Sequence, residues 1–374
     1  MTKIPSDLLP EGFRDRLPPQ ADAAARINRA ALDVLASHGY GRVSPAIAEF
    51  EETMAARSGG MSRNRLVRFS DPVSGHTLAV RGDITVQVGR IATTRMASEA
   101  RPLRLSYSGS VLRLRAAPLR PDREVTQIGA ELIGNDSVAA ASEVISLAIE
   151  ALQAAGVTGI IVDFTLPDLV ETLAEKVLKL PKEQVEAVRD ELDMKDAGGL
   201  VALGAEKYLP LLAATGPFDE AVAKLKAIDA KGALATRIAA LEEIAERLAG
   251  RATLTLDPTE RHGFEYQSWF GFTLFAEGYA AAVGRGGTYA ITRPDGSKEV
   301  ATGFSLYPDA LIDGDLPEGE NKRLFLPLGT DPAKAARMRA EGWITVAALD
   351  GEDDAANLRC GHILSNGRAE AVTA

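Results

Sequence analysis

The chain has 374 residues, of which 46% are hydrophobic and 25% are charged, and its formal net charge at pH 7 is −10. These values are typical of a globular protein large enough for two domains, or for one domain with an insertion. The acidic balance argues against a nucleic-acid-binding surface, because neutralising phosphates requires a basic field. The single cysteine, Cys360, excludes an internal disulfide and a thiolate metal site. No segment has the apolar length of a signal peptide or a membrane span, so we expect a cytoplasmic protein.

The first part of the chain mixes helical and strand patterns. Apolar residues recur at helical spacing over Ala21–Ser37 and over Val138–Ala154. Short strands are predicted at Val43–Ile47 and Thr77–Arg81, and Asp83 is placed to begin a helix after the second strand.

The composition changes between about residues 166 and 250, where Leu, Ala, Lys and Glu dominate and β-branched residues become rare. This pattern predicts an all-helical insertion. The strand pattern returns from Thr253, and the polar run Pro317–Lys322 is typical of a linker. Beyond it lies a small α/β pattern, with elements predicted at Arg323–Leu328, Pro332–Glu341 and Ile344–Leu349. We therefore predict a core domain over residues 1–315 and a short C-terminal α/β unit over residues 316–374.

The segment from Tyr107 to Glu131 carries the most informative chemistry. An apolar strand ends near Arg113, and after a Pro-rich loop a second strand presents Gln127, Gly129 and Glu131 on one face by its two-residue period. An arginine, an amide and a carboxylate on one sheet face suit a small zwitterion, since the cation attracts a carboxylate and the anion attracts an ammonium group.

This segment resembles motif 2 of the class II aminoacyl-tRNA synthetases, and of histidyl-tRNA synthetase in particular. The resemblance extends over about residues 5–311. Its other segments are Leu9–Pro18, Gly39–Pro45 (motif 1), Val80–Thr85, Gly263–Gln267, Gly286–Tyr289 and Gly303–Ala310 (motif 3). It implies an α+β fold with an antiparallel sheet of about six strands flanked by helices, interrupted by the helical insertion.

The resemblance also implies a histidine-binding site. Asp83, Thr85 and Gln127 would hold the α-amino group, Arg113 the carboxylate, and Glu131 the imidazole. The remaining residues that the resemblance brings to the site are Tyr266, Gln267 and Tyr289, with Gln267 standing where the synthetase has a second tyrosine that contacts the ring. No metal ligand, cofactor or catalytic residue is predicted.

The ATP-handling positions depart from the synthetase pattern. Arg115 stands in place of the motif 2 glutamate, Ala310 in place of the motif 3 arginine, and His262 in place of a catalytic arginine, with Arg261 beside it. Pro308 disrupts the helix that motif 3 normally begins. Each charge-assisted contact is worth about 1.5–3 kcal/mol, and about 1.36 kcal/mol changes a rate tenfold. We therefore expect no synthetase activity.

The tail is too short for an anticodon-binding domain, and it contains the acidic run Glu352–Asp354. A synthetase-like core without ATP chemistry resembles the regulatory subunits of ATP phosphoribosyltransferase, most specifically over Val80–Arg90 and Arg123–Glu131. That family implies a short-form catalytic subunit as partner, which the regulatory subunit activates and makes sensitive to feedback inhibition by L-histidine. It also implies a homodimer through motif 1 within a hetero-octamer, with no nucleic acid and no membrane.

Two other functions remain open on the sequence: a divergent active histidyl-tRNA synthetase, and a non-catalytic tRNA-sensing module. Individual residues have simpler alternatives as well. Arg113 and Glu131 could form a buried salt bridge, Asp83 could serve as a helix N-cap, and His262 could be a packed ring. The run Gly284–Gly287 lacks the Lys-Ser/Thr of a phosphate-binding loop, so a packing role is favoured there.

Overall fold

The computed structural model describes residues 8–57, 66–115, 121–229, 231–261, 267–312 and 322–372. The chain divides by its contacts into two units, which lie within Met1–Leu316 and Pro317–Ala374.

The strands, in chain order, are β1 (Gly41–Arg42), β2 (Ala48–Phe50), β3 (Val67–Ser70), β4 (Thr77–Val80), β5 (Leu103–Leu112), β6 (Glu124–Ile133), β7 (Ile160–Thr165), β8 (Gly216–Pro217), β9 (Thr253–Leu256), β10 (Gln267–Ala276), β11 (Gly284–Thr292), β12 (Lys298–Leu306), β13 (Arg323–Leu326), β14 (Ile344–Ala347), β15 (His362–Ser365) and β16 (Arg368–Ala371). The helices are α1 (Gln20–Ser37), α2 (Glu51–Arg57), α3 (Thr85–Thr94), α4 (Val138–Ala154), α5 (Leu169–Lys176), α6 (Val185–Asp193), α7 (Ala197–Ala202), α8 (Phe218–Ile228), α9 (Ala235–Arg247), α10 (Asp309–Ile312) and α11 (Pro332–Ala340).

The larger unit is built on one sheet with the strand order β1-β5-β6-β12-β11-β10-β7-β9-β8. From β5 to β7 every neighbouring pair is antiparallel, which gives the six-stranded antiparallel centre that the sequence predicts. The edges differ, because β1 pairs with β5 and β9 pairs with β7 in parallel. The fold prediction is confirmed, with a mixed sheet that is larger than expected.

One face of this sheet is covered by α1 and α4, which pack against each other and against the strands. The boundaries predicted for α4 are confirmed, and Ser137 caps its first turn by accepting a hydrogen bond from Ala140 N. Helix α4 is apolar around most of its circumference because it lies between the sheet, α1 and α9. The other face carries α3 and a core that includes Ile84, Val88 and Tyr107.

The insertion lies between β7 and β9 and contains α5 to α9, with 3₁₀ turns at Lys182–Gln184 and Glu206–Ala213. The all-helical prediction is wrong in one detail, because β8 adds a two-residue strand to the sheet beside β9. Among the helices that the structure describes, none combines the length and apolar character needed to cross a bilayer.

The strand predicted at Val43–Ile47 is wrong, since β1 ends before it and β2 begins after it. Pro45 has no amide hydrogen to donate to a ladder. Its carbonyl, and that of Ile47, instead accept hydrogen bonds from the side chain and the backbone of Arg81.

The smaller unit has a sheet in the order β14-β13-β15-β16. Its first two strands and α11 agree with the sequence prediction, whereas the hairpin formed by β15 and β16 was missed. The hairpin turn is Asn366-Gly367, and both residues have positive φ values. Asn-Gly is the usual sequence of such two-residue turns, so the signal was present.

Candidate functional site

The floor of the cleft on the α3 face of the larger sheet is a row of glycines. Strand register places Gly271 beside Gly287, Gly287 beside Gly303, and Gly303 beside Glu131. A Cβ at Gly303 would lie 1.6 Å from Glu131 Oε2. Only glycine therefore lets the Glu131 side chain lie across the neighbouring strand.

Glu131 is 1% exposed, and it is held by two tyrosines. Tyr289 Oη donates to Oε2 at 2.7 Å, and Tyr107 Oη donates to Oε1 at 3.0 Å. Tyr107 Oη also lies 3.0 Å from the hydroxyl oxygens of Thr85 and Ser305. The buried carboxyl group is thus the end of a hydroxyl network that begins at the first residue of α3.

A second part of the network surrounds Gln127, which is 1% exposed. Its Nε2 donates to Asp83 Oδ1 and to Ser305 Oγ, both at 2.8 Å, and its Oε1 accepts from Ile84 N at 2.9 Å. Asp83 Oδ1 also accepts from Thr85 N at 2.9 Å, which stabilises the start of α3. Within the described residues, Asp83 Oδ2 accepts no hydrogen bond. Asp83 therefore supports the helix and still presents an oxygen to a cation.

Two arginines flank Tyr307 at the other side of the cleft. Arg113 follows the last residue of β5, Arg285 lies on β11, and each guanidinium carbon is 5.8 Å from the centroid of the Tyr307 ring. Burial lowers the pKa of Arg113, and the charge of Arg285 lowers it further, while Asp83 opposes this effect. Within the described residues the Arg113 guanidinium donates no hydrogen bond. The alternative of an Arg113–Glu131 salt bridge is wrong, because the Glu131 oxygens accept from tyrosines.

Gln267 begins β10 opposite Tyr289. Its Nε2 donates to Gly286 O at 2.8 Å, and its amide lies over Gly271 and Gly287, where any Cβ would collide with it. The glutamine therefore covers one end of the glycine floor. The register between β10 and β11 is irregular from residue 267 to residue 271, and Gln267 lies at the start of this irregularity.

Six of the residues that the resemblance brings to the site converge directly on this network or line its cleft: Asp83, Thr85, Gln127, Glu131, Gln267 and Tyr289. Arg113 is adjacent to them, beside Tyr307. Tyr266 and His262 lie outside the described residues. Arg261 turns toward the insertion, where its guanidinium bonds Glu186 at 2.9 Å.

Sequence reasoning missed Ser305 and Arg285 as site residues. Both carry a usable signal, because each is two residues from a glycine of the floor, Gly303 or Gly287, and so shares its face. Gly129, noted for its position between Gln127 and Glu131, leaves the space through which Tyr107 Oη passes.

The resulting cleft is open to solvent, and its free space is about 250 Å³ when the open solvent within it is included. The described residues contain no group of three His, Cys, Asp or Glu side chains able to hold a metal ion. The cleft presents a buried acid and tyrosines at one end, a carboxylate oxygen at the α3 end, and guanidinium groups beside them.

Burial raises the pKa of Glu131 from its usual 4.5 to about 8, while hydrogen bonds from Tyr289 and Tyr107 limit the rise. Burial also raises the pKa of Tyr107. In the unliganded protein at neutral pH, Glu131 is thus mainly a neutral acid that can donate one hydrogen bond.

Glu131 gives the fold a pH dependence with a defined sign. A raised folded pKa stabilises the protein fully below the unfolded pKa, and this contribution is lost as the pH rises through about 8. Between about pH 6 and about pH 9 the loss should be about 2–3 kcal/mol, and Glu131→Gln should remove it. Urea unfolding at both pH values measures the effect.

The matched control is Glu143→Gln on α4. A hydrogen bond from Arg104 lowers the pKa of Glu143, so this variant should keep the wild-type pH slope above pH 6. A Glu131→Gln protein with the same slope as wild type would contradict the buried-acid assignment.

Comparison with known proteins places these features in a family. The family model described as "Histidyl-tRNA synthetase" matches residues 12–311. A relative named ATP phosphoribosyltransferase regulatory subunit from Rhodospirillum centenum is 42% identical, covering 98% of this chain and 96% of its own length. The protein of the same name from Rhodospirillum rubrum is 37% identical, covering 98% and 97%.

Two solved structures share the fold. An ATP phosphoribosyltransferase regulatory subunit/histidyl-tRNA synthetase from Bacillus halodurans has a TM-score of 0.80 at 24% identity, covering 96% of this chain and 97% of that one. A histidyl-tRNA synthetase from Nostoc has a TM-score of 0.79 at 15% identity, covering 96% and 91%. The chain therefore belongs to the ATP phosphoribosyltransferase regulatory subunit family, whose core is that of histidyl-tRNA synthetase.

Proposed function

We propose that this chain is a cytoplasmic, non-catalytic regulatory subunit that binds histidine, activates a short-form ATP phosphoribosyltransferase catalytic subunit, and makes it subject to feedback inhibition. The observation that carries the proposal is the network joining Asp83, Gln127, Tyr107 and Glu131, which keeps amino-acid-recognising groups in one cleft. The proposal thus concerns the first step of histidine biosynthesis.

The two ends of the network suit the two ends of histidine. An ammonium group fits beside Asp83 Oδ2, with the hydroxyl of Thr85 and the amide of Gln127 next to it. An imidazole fits over the glycine floor, where Glu131 can donate to, or accept from, a ring nitrogen. Tyr289 and Gln267 would border the ring.

The absence of catalysis is supported at the ATP-handling positions. Arg115 is exposed beyond the end of β5, and Ala310 offers no charge. The neighbouring Asp309 is occupied by internal contacts, since it pairs with Arg16 and accepts a hydrogen bond from Thr126 N. Neither Ala310 nor Asp309 offers a cation to a developing phosphate charge.

The first expected outcome is that the chain has no synthetase activity. The purified chain should catalyse no histidine-dependent exchange of pyrophosphate into ATP, because three ATP-handling positions, Arg115, His262 and Ala310, are altered. Exchange at ordinary synthetase rates would favour the divergent-synthetase alternative instead.

The second expected outcome is histidine binding by the isolated chain. Arg113→Ala and Glu131→Ala should each weaken binding about 10–100-fold, since each removes a charge-assisted or buried hydrogen-bond partner. Isothermal titration calorimetry is the measurement, with Arg247→Ala on the outer surface of α9 as a control that should bind normally. If both cleft variants bind as tightly as wild type, the pocket lies elsewhere.

The third expected outcome concerns the partner. We propose a homodimer through the motif 1 region, Gly39–Pro45, within a hetero-octamer that contains the short catalytic subunit. Mixing the two proteins should raise the rate of phosphoribosyl transfer, and histidine should lower it through a coupling of about 1–3 kcal/mol. By reciprocity, a substrate whose binding histidine weakens must weaken histidine binding by the same factor.

Size-exclusion chromatography and rate assays with and without histidine measure both effects. Glu131→Ala is the matched variant, because it should retain assembly while losing most of the response to histidine. No co-elution and no rate change would oppose the assignment and favour the tRNA-sensing alternative.

A further inference from the structure

Tyr107 lies at the centre of the buried network, and the family resemblance gives it no role in the site. Its side chain is 0% exposed. Its hydroxyl oxygen lies 3.0 Å from Glu131 Oε1, and at the same distance from the hydroxyl oxygens of Thr85 and Ser305. A tyrosine hydroxyl has one hydrogen to donate and otherwise accepts. Tyr107 therefore donates to one of these three neighbours and accepts from the other two.

The direction of these hydrogen bonds is fixed at one end by a backbone amide. Ile84 N, which can only donate, gives its hydrogen to Gln127 Oε1 at 2.9 Å. The Gln127 Nε2 group therefore uses its two hydrogens on Asp83 Oδ1 and Ser305 Oγ. Among the described residues, the other hydrogen-bonding neighbour of Ser305 Oγ is Tyr107 Oη. The Ser305 hydrogen is thus directed to Tyr107.

Two arrangements remain for the Tyr107 hydrogen. In the first, Tyr107 donates to Glu131 and accepts from Thr85, so the lone pairs of the Thr85 oxygen stay available to a ligand. In the second, a neutral Glu131 donates to Tyr107, and Tyr107 donates to Thr85. Burial raises the pKa of Glu131 to about 8, so the neutral acid that the second arrangement requires is the main form at neutral pH. The acid hydrogen is then used within the protein.

The ammonium group of a ligand favours the first arrangement. An ammonium group donates hydrogen bonds and cannot accept them, so beside Thr85 it requires a lone pair of the hydroxyl oxygen. In the second arrangement, the hydrogen of Thr85 is no longer directed to Tyr107 and would compete for the space that the ammonium group needs. In the first arrangement, Tyr107 donates to Glu131, which keeps its acid hydrogen or its charge for the ring of the ligand.

We propose that Tyr107 is a positioning residue that makes recognition of the ammonium group at Thr85 and recognition of the ring at Glu131 cooperative. This inference rests on the proposed function, because it describes how two parts of one histidine molecule are recognised together. A ligand that has the ring but lacks the ammonium group would bind without this cooperation. The cleft therefore selects histidine over its deaminated relatives by more than the sum of the separate contacts.

The test is a double-mutant cycle on the full chain with two ligands, L-histidine and 3-(imidazol-4-yl)propionate, which lacks only the α-amino group. Calorimetry gives the preference for histidine, which is the ratio of the two dissociation constants, for wild type, Glu131→Ala, Tyr107→Phe and the double variant. In the wild-type background, Glu131→Ala should lower this preference about fivefold or more. In the Tyr107→Phe background, the same change should alter it by less than about twofold.

A merely structural role of Tyr107 predicts a different result. Tyr107→Phe would then weaken both ligands alike, and Glu131→Ala would change the preference equally in the two backgrounds. The dependence of the preference on Glu131 is therefore the decisive readout, because a general loss of affinity cancels from the ratio.

The matched control is Tyr40→Phe. Tyr40 is also a buried tyrosine, and its hydroxyl donates to Glu143 of α4 at 2.9 Å. In the Tyr40→Phe background, Glu131→Ala should lower the preference as much as in wild type. If Tyr107→Phe does not fold, Thr85→Val takes its place, since it removes the hydroxyl through which the ammonium group acts on Tyr107. In that background, Glu131→Ala should again alter the preference by less than about twofold.

The outcomes separate the two proposals. If wild type binds neither ligand, the proposed function and this inference are both overturned. If wild type binds histidine, and Glu131→Ala changes the preference equally with and without the Tyr107 hydroxyl, the cooperative role of Tyr107 alone is overturned.

Discussion

The burial of Glu131 is the constraint on which the cleft depends. A carboxyl group at 1% exposure is tolerated because two tyrosines donate to it and because Gly303 leaves the space in which it lies. The same burial raises its pKa to about 8, so the group is mainly neutral at neutral pH and becomes charged as the pH rises through about 8. A group in this condition can donate to one imidazole nitrogen when neutral, or accept from the other when charged.

Two sets of polar contacts lie at separate places on the larger sheet. Residues facing the cleft form a connected network from Asp83 through Gln127 and Ser305 to Tyr107, and removing any member would leave a buried partner unsatisfied. At the start of β6, by contrast, Asp309 is occupied by Arg16 and the backbone of Thr126. These internal contacts line a second, open cavity.

Local patterns predicted much of this architecture, and the failures have physical causes. The predicted bounds of helix α4 match the structure at both ends, because a long apolar run can be recognised without tertiary information. The shared face of Gln127 and Glu131 was predicted from the two-residue period of a strand. The strand expected at Val43–Ile47 failed because Pro45 cannot donate to a ladder and because Arg81, remote in sequence, satisfies the carbonyls there. Arg285 was missed as a cleft residue because Arg113 and Tyr307 come near it only in the folded sheet.

Arg81 also bears on how the cleft could influence an assembly. It lies two residues before Asp83, and its guanidinium donates to Ser110 O at 2.8 Å and to Pro45 O at 2.9 Å. Gly109 permits this path, since a Cβ there would lie 2.2 Å from Arg81 Nη2. The Arg81 side chain therefore connects β5 to the motif 1 segment. Asp83, which faces the proposed ammonium group, lies two residues further along the chain. A ligand that prefers one position of Asp83 would favour one arrangement of the motif 1 segment, and a difference of about 1–3 kcal/mol between arrangements suffices for regulation.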